Sequence, residues 1–282
     1  MHPPAERLYR DSLGGMSLTM GTGPFGHAPG GSFNFDTPDT GAILLDVIPR
    51  RVRGLKDGET VVDSKRVHML HESRILPVWY FPQEDVRMDL LRETGHTTHC
   101  PWKGDSRYYA LRDVEKAAWT YPQPIAGVER LKGLVAFHFG ALDEWLEEDE
   151  SVIGHPRDPF HRIDVNRSSR HVKVTLDGKT LAQSDRPVAL FETGLPTRWY
   201  LPREDVSMDL LQPSETHTTC AYKGRASTFS SGEREDIAWT YSEPEREVEP
   251  VRDRIAFYDE FVDIELDGEP QERPSTPFSR RS

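Results

Sequence analysis

Two lysines, each followed by a glycine, are the residues whose type and setting most directly suggest chemistry. Lys103-Gly104 closes the segment Thr98-His99-Cys100-Pro101-Trp102, and Lys223-Gly224 closes Thr218-Thr219-Cys220-Ala221-Tyr222. Glycine permits a tight turn or the close approach of a ligand to the backbone. The lysine beside it offers a compact positive charge to a carboxylate or phosphate. Alternatively its stem covers an aromatic ring and its head meets an acid. Glu72 and Glu192, at the ends of two expected strands, are placed to be those acids. Four aromatics accompany each lysine: Trp79, Tyr80, Trp119 and Tyr121 in one set, Trp199, Tyr200, Trp239 and Tyr241 in the other. Buried as core, each contributes on the order of 1.5–3 kcal/mol. As pocket wall, each presents an apolar body with one polar end.

The acids supply a second constellation. Asp85 and Asp89 are spaced i,i+4, as are Asp205 and Asp209. On one helix both carboxylates of a pair share a face, a geometry for Mg²⁺ or for one acid and one base. The plainer alternative has the first favouring the helix start and the second meeting Arg or Lys. Cys100 has His99 beside it, whereas Cys220 has Thr219. A cysteine nucleophile needs a placed base, so small buried side chains are the better reading. Zinc needs about four soft or imidazole ligands, more than either segment gathers, so no metal site and no cofactor are expected.

What must position these residues is a duplication. Residues 79–91 and 199–211 are identical at ten of thirteen positions, without a gap and 120 residues apart. Trp119-Thr120-Tyr121 with Pro124 returns as Trp239-Thr240-Tyr241 with Pro244. A repeated unit of about 95 residues implies one fold written twice. In each copy an Asp-Gly pair, Asp57-Gly58 or Asp177-Gly178, sits between strand-like runs and marks a hairpin. Further strands are expected at Val67–Glu72, Ser106–Leu111, Ala117–Tyr121 and Val135–Phe139. Pro82 and Pro202 each open a brief helix, Glu84–Leu91 and Glu204–Leu211. The expected architecture is therefore mainly β: two similar small domains of antiparallel sheet, each with a short helix, packed about a pseudo-twofold axis.

Composition sets the limits. Residues 1–42 are dense in Gly and Pro and are expected to be a flexible leader; they lack the GK[ST] of a phosphate loop. The first domain then spans 43–148, a linker 149–167, the second domain 168–267 and a flexible Pro-, Ser- and Arg-rich tail 268–282. Asp143–Glu150, with six acids in eight residues, reads as a solvated face running into that linker. A net charge of -12 argues against a nucleic-acid partner. No run reaches the length of a membrane span, so no membrane partner is expected. Two cysteines at matched sites of different domains disfavour a disulfide and fit the cytoplasm. The two domains are expected to pair within one chain, as a monomer or weak dimer.

The same residues carry a resemblance. The run Trp/Tyr-Tyr-x-Pro-x-Glu-Asp-Val, Asp-Leu-Leu, Thr-x-x-Cys-Pro-x-Lys-Gly, Ala-Trp-x-Tyr-x-x-Pro and Val-Ala-Phe resembles the bacterial domain-of-unknown-function family numbered 427, also catalogued under a nucleotidyltransferase-like name. It falls on Trp79–Val86, Asp89–Leu91, Thr97 or Thr98 to Gly104, Ala118–Pro124 and Val135–Phe137, and again on Trp199–Val206, Asp209–Leu211, Thr218–Gly224, Ala238–Pro244 and Ile255–Phe257. The second copy departs at Cys220-Ala221, and Thr197 replaces Pro77. The resemblance implies a small, bent-sheet domain similar to the β-tent arrangement, and no established activity. The function expected is binding of a small acidic or planar ligand in an aromatic and lysine pocket in each repeat. The alternatives are a metal-assisted transferase or hydrolase on phosphate esters, and a purely structural scaffold.

Overall fold

The computed structural model describes residues 43–72 and 75–280; the expected leader, residues 1–42, lies outside the described residues. The first repeat begins with β1 (Ile43–Val47), β2 (Val52–Lys56) and β3 (Glu59–Ser64). Asp57 and Gly58, between β2 and β3, both take positive φ, +50° and +76°. That is the turn whose twist matches a tight hairpin. There follow β4 (His68–Glu72), β5 (Val78–Pro82), β6 (Leu91–Cys100), β7 (Gly104–Leu111), β8 (Val114–Pro124), β9 (Leu134–Phe137), β10 (Glu144–Glu147) and β11 (Glu150–Ser151). Seven strands form one antiparallel sheet in the order β1-β4-β5-β9-β8-β7-β6, and four form a second, β11-β10-β2-β3.

The hydrophobic core sits between these sheets. Val52, Val61 and Val62 from the smaller one pack against Met69, Trp79, Phe81, Val135 and Phe137 from the larger. The outer face of the large sheet carries its own cluster, with Leu70, Tyr80, Tyr121, Leu134 and Ala136. Alternation along β5 divides its aromatics accordingly, Trp79 and Phe81 inward and Tyr80 outward.

The second repeat runs β12 (Ile163–Arg167), β13 (Val172–Leu176), β14 (Lys179–Ser184), β15 (Val188–Glu192), β16 (Arg198–Tyr200), β17 (Gln212–Cys220), β18 (Gly224–Ser231), β19 (Arg234–Thr240), β20 (Ala256–Phe257), β21 (Asp263–Leu266) and β22 (Glu269–Pro270). Its small sheet, β14-β13-β21-β22, matches β3-β2-β10-β11 strand for strand. Its large sheet is divided into β12-β15-β16 and β17-β18-β19-β20, which meet at the bridge Leu201↔Ile255. The chain is thus mainly β, two sheet modules with short helices, as the duplication implies.

Some of these expectations change. The helix over 84–91 is instead two single 3₁₀ turns, Gln83–Asp85 and Met88–Leu90. Val86 between them is extended, bridging Val62, and Arg87 donates its N–H to Val61 O at 2.8 Å. The neighbouring strand takes the backbone groups that a continuous helix needs. The acidic run is likewise a strand: β10 pairs with β2 and buries Trp145. Three of its acids are paired, Asp143 with Lys56 at 2.8 Å, Glu147 with Arg50 at 2.5 Å and Asp149 with Arg53 at 2.7 Å. Finally, Ile163–Arg167 of the expected linker is β12, paired with β15 as β1 is with β4. The segment after 268 carries β22 and the 3₁₀ turn Pro277–Arg280, and Arg273 ties it to Asp263 at 2.8 Å.

Candidate functional site

Each lysine sits in a turn built by its own backbone. Lys103 donates its N–H to Cys100 O at 3.2 Å, and Ile125 donates to Lys103 O at 3.1 Å. Gly104 follows at φ +99°, with Gln123 O 3.2 Å from where a Cβ would lie; at Gly224, φ +104°, Glu243 O is at 2.9 Å. Only glycine fits both the torsion and the space. The turn aims Lys103 inward to form an ion pair with Glu72, both side chains buried. Tyr121 lies beneath the ammonium, 5.8 Å from ring centroid to Nζ. Trp119 donates its Nε1–H to Tyr80 Oη at 3.1 Å, edge to face.

The second repeat reproduces this arrangement. Lys223 pairs with Glu192, and Trp239 donates to Tyr200 Oη at 3.0 Å. His161 adds a contact of 3.0 Å to the other oxygen of Glu192. Burial pushes Glu192 up, but the hydrogen bond from His161 and the charge of Lys223 outweigh it and hold this carboxyl below its usual value. Burial raises the phenols of Tyr80, Tyr121, Tyr200 and Tyr241 well beyond the ordinary tyrosine range, so all four are neutral hydrogen-bonding groups.

Glu72, Tyr80, Lys103, Trp119 and Tyr121 are therefore brought together, as are Glu192, Tyr200, Lys223, Trp239 and Tyr241. Trp79 and Trp199 are not: they turn to the inter-sheet core, with Trp145 5.5 Å from Trp79. The acid pairs are corrected too. Asp85 accepts from Ser64 at 2.7 Å and pairs with Arg66 at 2.6 Å, whereas Asp89 belongs to Arg87 on the next turn, at 2.6 Å. Asp205 repeats the first arrangement with Ser184 and Arg186, and Asp209 lies exposed on the next turn. Without a shared helix, the i,i+4 spacing creates no common face. Among the described residues no cluster of His, Cys, Asp and Glu is arranged to hold a metal. Cys100 and Cys220 are both free thiols.

A cavity of about 260 Å³ opens at the end of the large sheet of the first repeat, where Val78 begins β5 and Phe137 closes β9. Trp79, Trp119, Phe139 and Trp145 wall it, and His138 lies 4.7 Å from Trp119. Gly154, His155 and Pro156 of the connecting segment close one side. Burial lowers the pKa of both His138 and His155, leaving two neutral imidazoles among the rings. Among the described residues no lysine or arginine lines it. The histidines and the connecting segment were not legible as site residues, since neither recurs between copies.

In the second repeat the part of this space under Trp239 is filled. Arg198 stands where the first has Val78, buried 5.7 Å from the Trp239 ring and 5.8 Å from Tyr258. Glu260 receives its hydrogen bond at 2.7 Å, and Asp259 lies 3.3 Å away. Burial nevertheless pushes Asp259 up to about 6, from an ordinary 3.8. The folded chain thus holds this proton more tightly than the unfolded chain, so this group's contribution to stability falls as pH rises from about 4 to about 6. Asp259→Asn is expected to flatten that decline, measured as urea midpoint against pH; an unaltered slope would assign the decline elsewhere.

The family model described as Domain of unknown function (DUF427) matches the chain twice, at residues 45–148 and 164–268. No curated protein matches it. The two matches coincide with the two sheet modules and begin within β1 and β12. Among the described residues no helix is long and apolar enough to cross a membrane.

Proposed function

The chain belongs to the DUF427 family through two tandem copies, and from that premise we propose that it binds a small planar ligand in the first repeat. The observation that carries this reading is the cavity beneath Trp119, about 260 Å³ and walled mostly by rings. Offset stacking on tryptophan and phenylalanine selects a flat molecule. His138 and His155, both neutral near pH 7, offer a donor and an acceptor to its polar edge. The lysine is not part of the recognition: Lys103 is neutralised by Glu72 and anchors the turn. Of the acidic and planar ligands expected, the walls favour the planar one for this cavity. The second copy serves as a partner domain whose equivalent space Arg198 occupies. In this reading the domains begin near residues 43 and 163, and Val152–His161 connects them.

The test uses indole and quinoline, neutral planar probes, titrated against tryptophan fluorescence. Val78 is half-buried at the cavity mouth, so Val78→Phe fills the space without touching the ion pair. At least one probe is expected to quench the wild type saturably, and Val78→Phe to weaken it about tenfold, equivalent to about 1.4 kcal/mol. Absence of saturable quenching, or equal affinity in Val78→Phe, would end this reading.

A further inference from the structure

A contrast between the two copies lies on the face of the second large sheet turned away from Lys223. Ala189 replaces Met69, Asp259 replaces Phe139, and Ile264, opposite Val174, takes the place that Trp145 has opposite Gly54. These smaller side chains leave a cavity of about 500 Å³ beside the retained Trp199. Ala189, Val262, Ile264 and Leu266 are buried and form its apolar floor. The segment after β22 makes the outer lip, where Gln271 donates its N–H to Ile264 O at 2.8 Å and Arg273 pairs with Asp263 at 2.8 Å.

Strand register decides which polar groups share this floor. Asn166, Ala189 and Trp199 pair across β12, β15 and β16 and therefore lie on one face. Arg167, one residue on, pairs with Val188 and belongs to the Lys223 face, where Val188 packs with Tyr200. Arg170 lies 5.8 Å from the Trp199 ring but is paired with Asp267 at 2.6 Å. Asp259 faces Arg198 at 3.3 Å. Glu272 is exposed on the lip, where salt screens it. A charged ligand of either sign thus meets no unpaired buried counter-charge. Asn166 stands where the first repeat has Asp46. Among the described residues its side chain has no hydrogen-bond partner, so its N–H donors and its carbonyl acceptor are both available.

We propose that this cavity binds a neutral aromatic carboxamide or lactam, its ring on the apolar floor beside Trp199 and its amide edge against Asn166. An amide presents a donor and an acceptor side by side, and Asn166 presents the matching acceptor and donor. A carboxylate uses only the donor and an ammonium only the acceptor, and each loses water without gaining a counter-charge. The site goes beyond the first-repeat cavity, which lies in the other copy and is walled by rings and imidazoles.

Calorimetry with 2-naphthamide, methyl 2-naphthoate, 2-naphthoate and 2-naphthylmethylamine tests this. The full chain carries Val78→Phe, which fills the first-repeat cavity, so that binding there and binding here are read apart. The amide is expected to bind at least about threefold more tightly than the ester, which has no N–H to donate, and at least about tenfold more tightly than the two charged probes. Asn166 is exposed on β12, at the edge of its sheet, so adding Asn166→Leu leaves the core untouched. It is expected to bring the amide down to the affinity of the ester and to leave the ester unchanged. Adding Ala189→Met instead, which restores the bulk of the first repeat, is expected to abolish binding of all four in a protein that still unfolds cooperatively in urea. The proposal is overturned if the amide gives no heat, if the ester or either charged probe binds as tightly, if Asn166→Leu keeps the preference for the amide, or if folded Ala189→Met still binds it.

Discussion

Lys103→Met is expected to destabilise the first repeat by about 3–5 kcal/mol, the cost of leaving a buried carboxylate without its partner. Glu72 and Lys103 each expose only 8 % of their side chains, so water cannot replace the lost ammonium. The expected readout is a large fall in urea midpoint with an unchanged slope, because the folded surface is the same. Glu72→Leu combined with Lys103→Met should recover most of the loss, since a well-packed apolar pair is often no worse than a buried ion pair. Lys223→Met is expected to cost less, because His161 still reaches Glu192 at 3.0 Å. A Lys103→Met protein within about 0.5 kcal/mol of wild type, the scatter of ordinary surface substitutions, would show that the pair is not a structural anchor.

Gly54→Val is expected to be nearly as damaging, and curable. A Cβ at Gly54 would lie 2.7 Å from Leu142 Cδ2 and 2.8 Å from Trp145 Cζ3. Trp145 cannot swing away freely: it stacks on Phe81 at 5.9 Å and donates its Nε1–H to Phe139 O at 2.8 Å. Overpacking of this kind typically costs about 1–3 kcal/mol, and a branched side chain belongs at the upper end. Trp145→Ile alone leaves a void and is expected to cost about 3 kcal/mol. The second repeat already contains the compatible pair, Val174 facing Ile264. Gly54→Val with Trp145→Ile should therefore be less destabilised than the sum of the single changes by about 1–2 kcal/mol. A strictly additive double mutant would mean that the two positions do not share one volume.

How far these features could be read from the residues depends on which physical signal each one leaves. The Asp-Gly turns, the duplication and the Glu72–Lys103 pairing were legible, because turn torsions and a carboxylate at a strand end are local facts. Trp79 and Tyr80 cannot share one wall: they are adjacent in β5, so alternation turns Trp79 to the inter-sheet core and the cavity and leaves Tyr80 beside the lysine. Strand β6 is polar throughout its Thr94–His99 stretch, giving no hydrophobic pattern to see. In β10 the acids masked Trp145, the one residue that betrays a buried face. The cavities were hidden more deeply. Positions shared by both copies build the common scaffold and also supply the cavity rings Trp79 and Trp119. Positions that differ, Val78 against Arg198 and Phe139 against Asp259, decide where space is left. Identity between repeats points to the rings, and contrast to where space is left beside them.

The connecting segment has a consequence for how such a protein can be rearranged. Asp158 donates its backbone N–H to Tyr222 Oη at 2.7 Å, while Phe160 lies 5.3 Å from His71 of the other module. Gly154–Pro156 also walls the cavity under Trp119. A chain severed here would not release two interchangeable parts, because each half would lose contacts that the tether supplies. Modular shuffling of the copies, or swapping their order, would have to carry this dozen or so residues along with whichever half needs a lid.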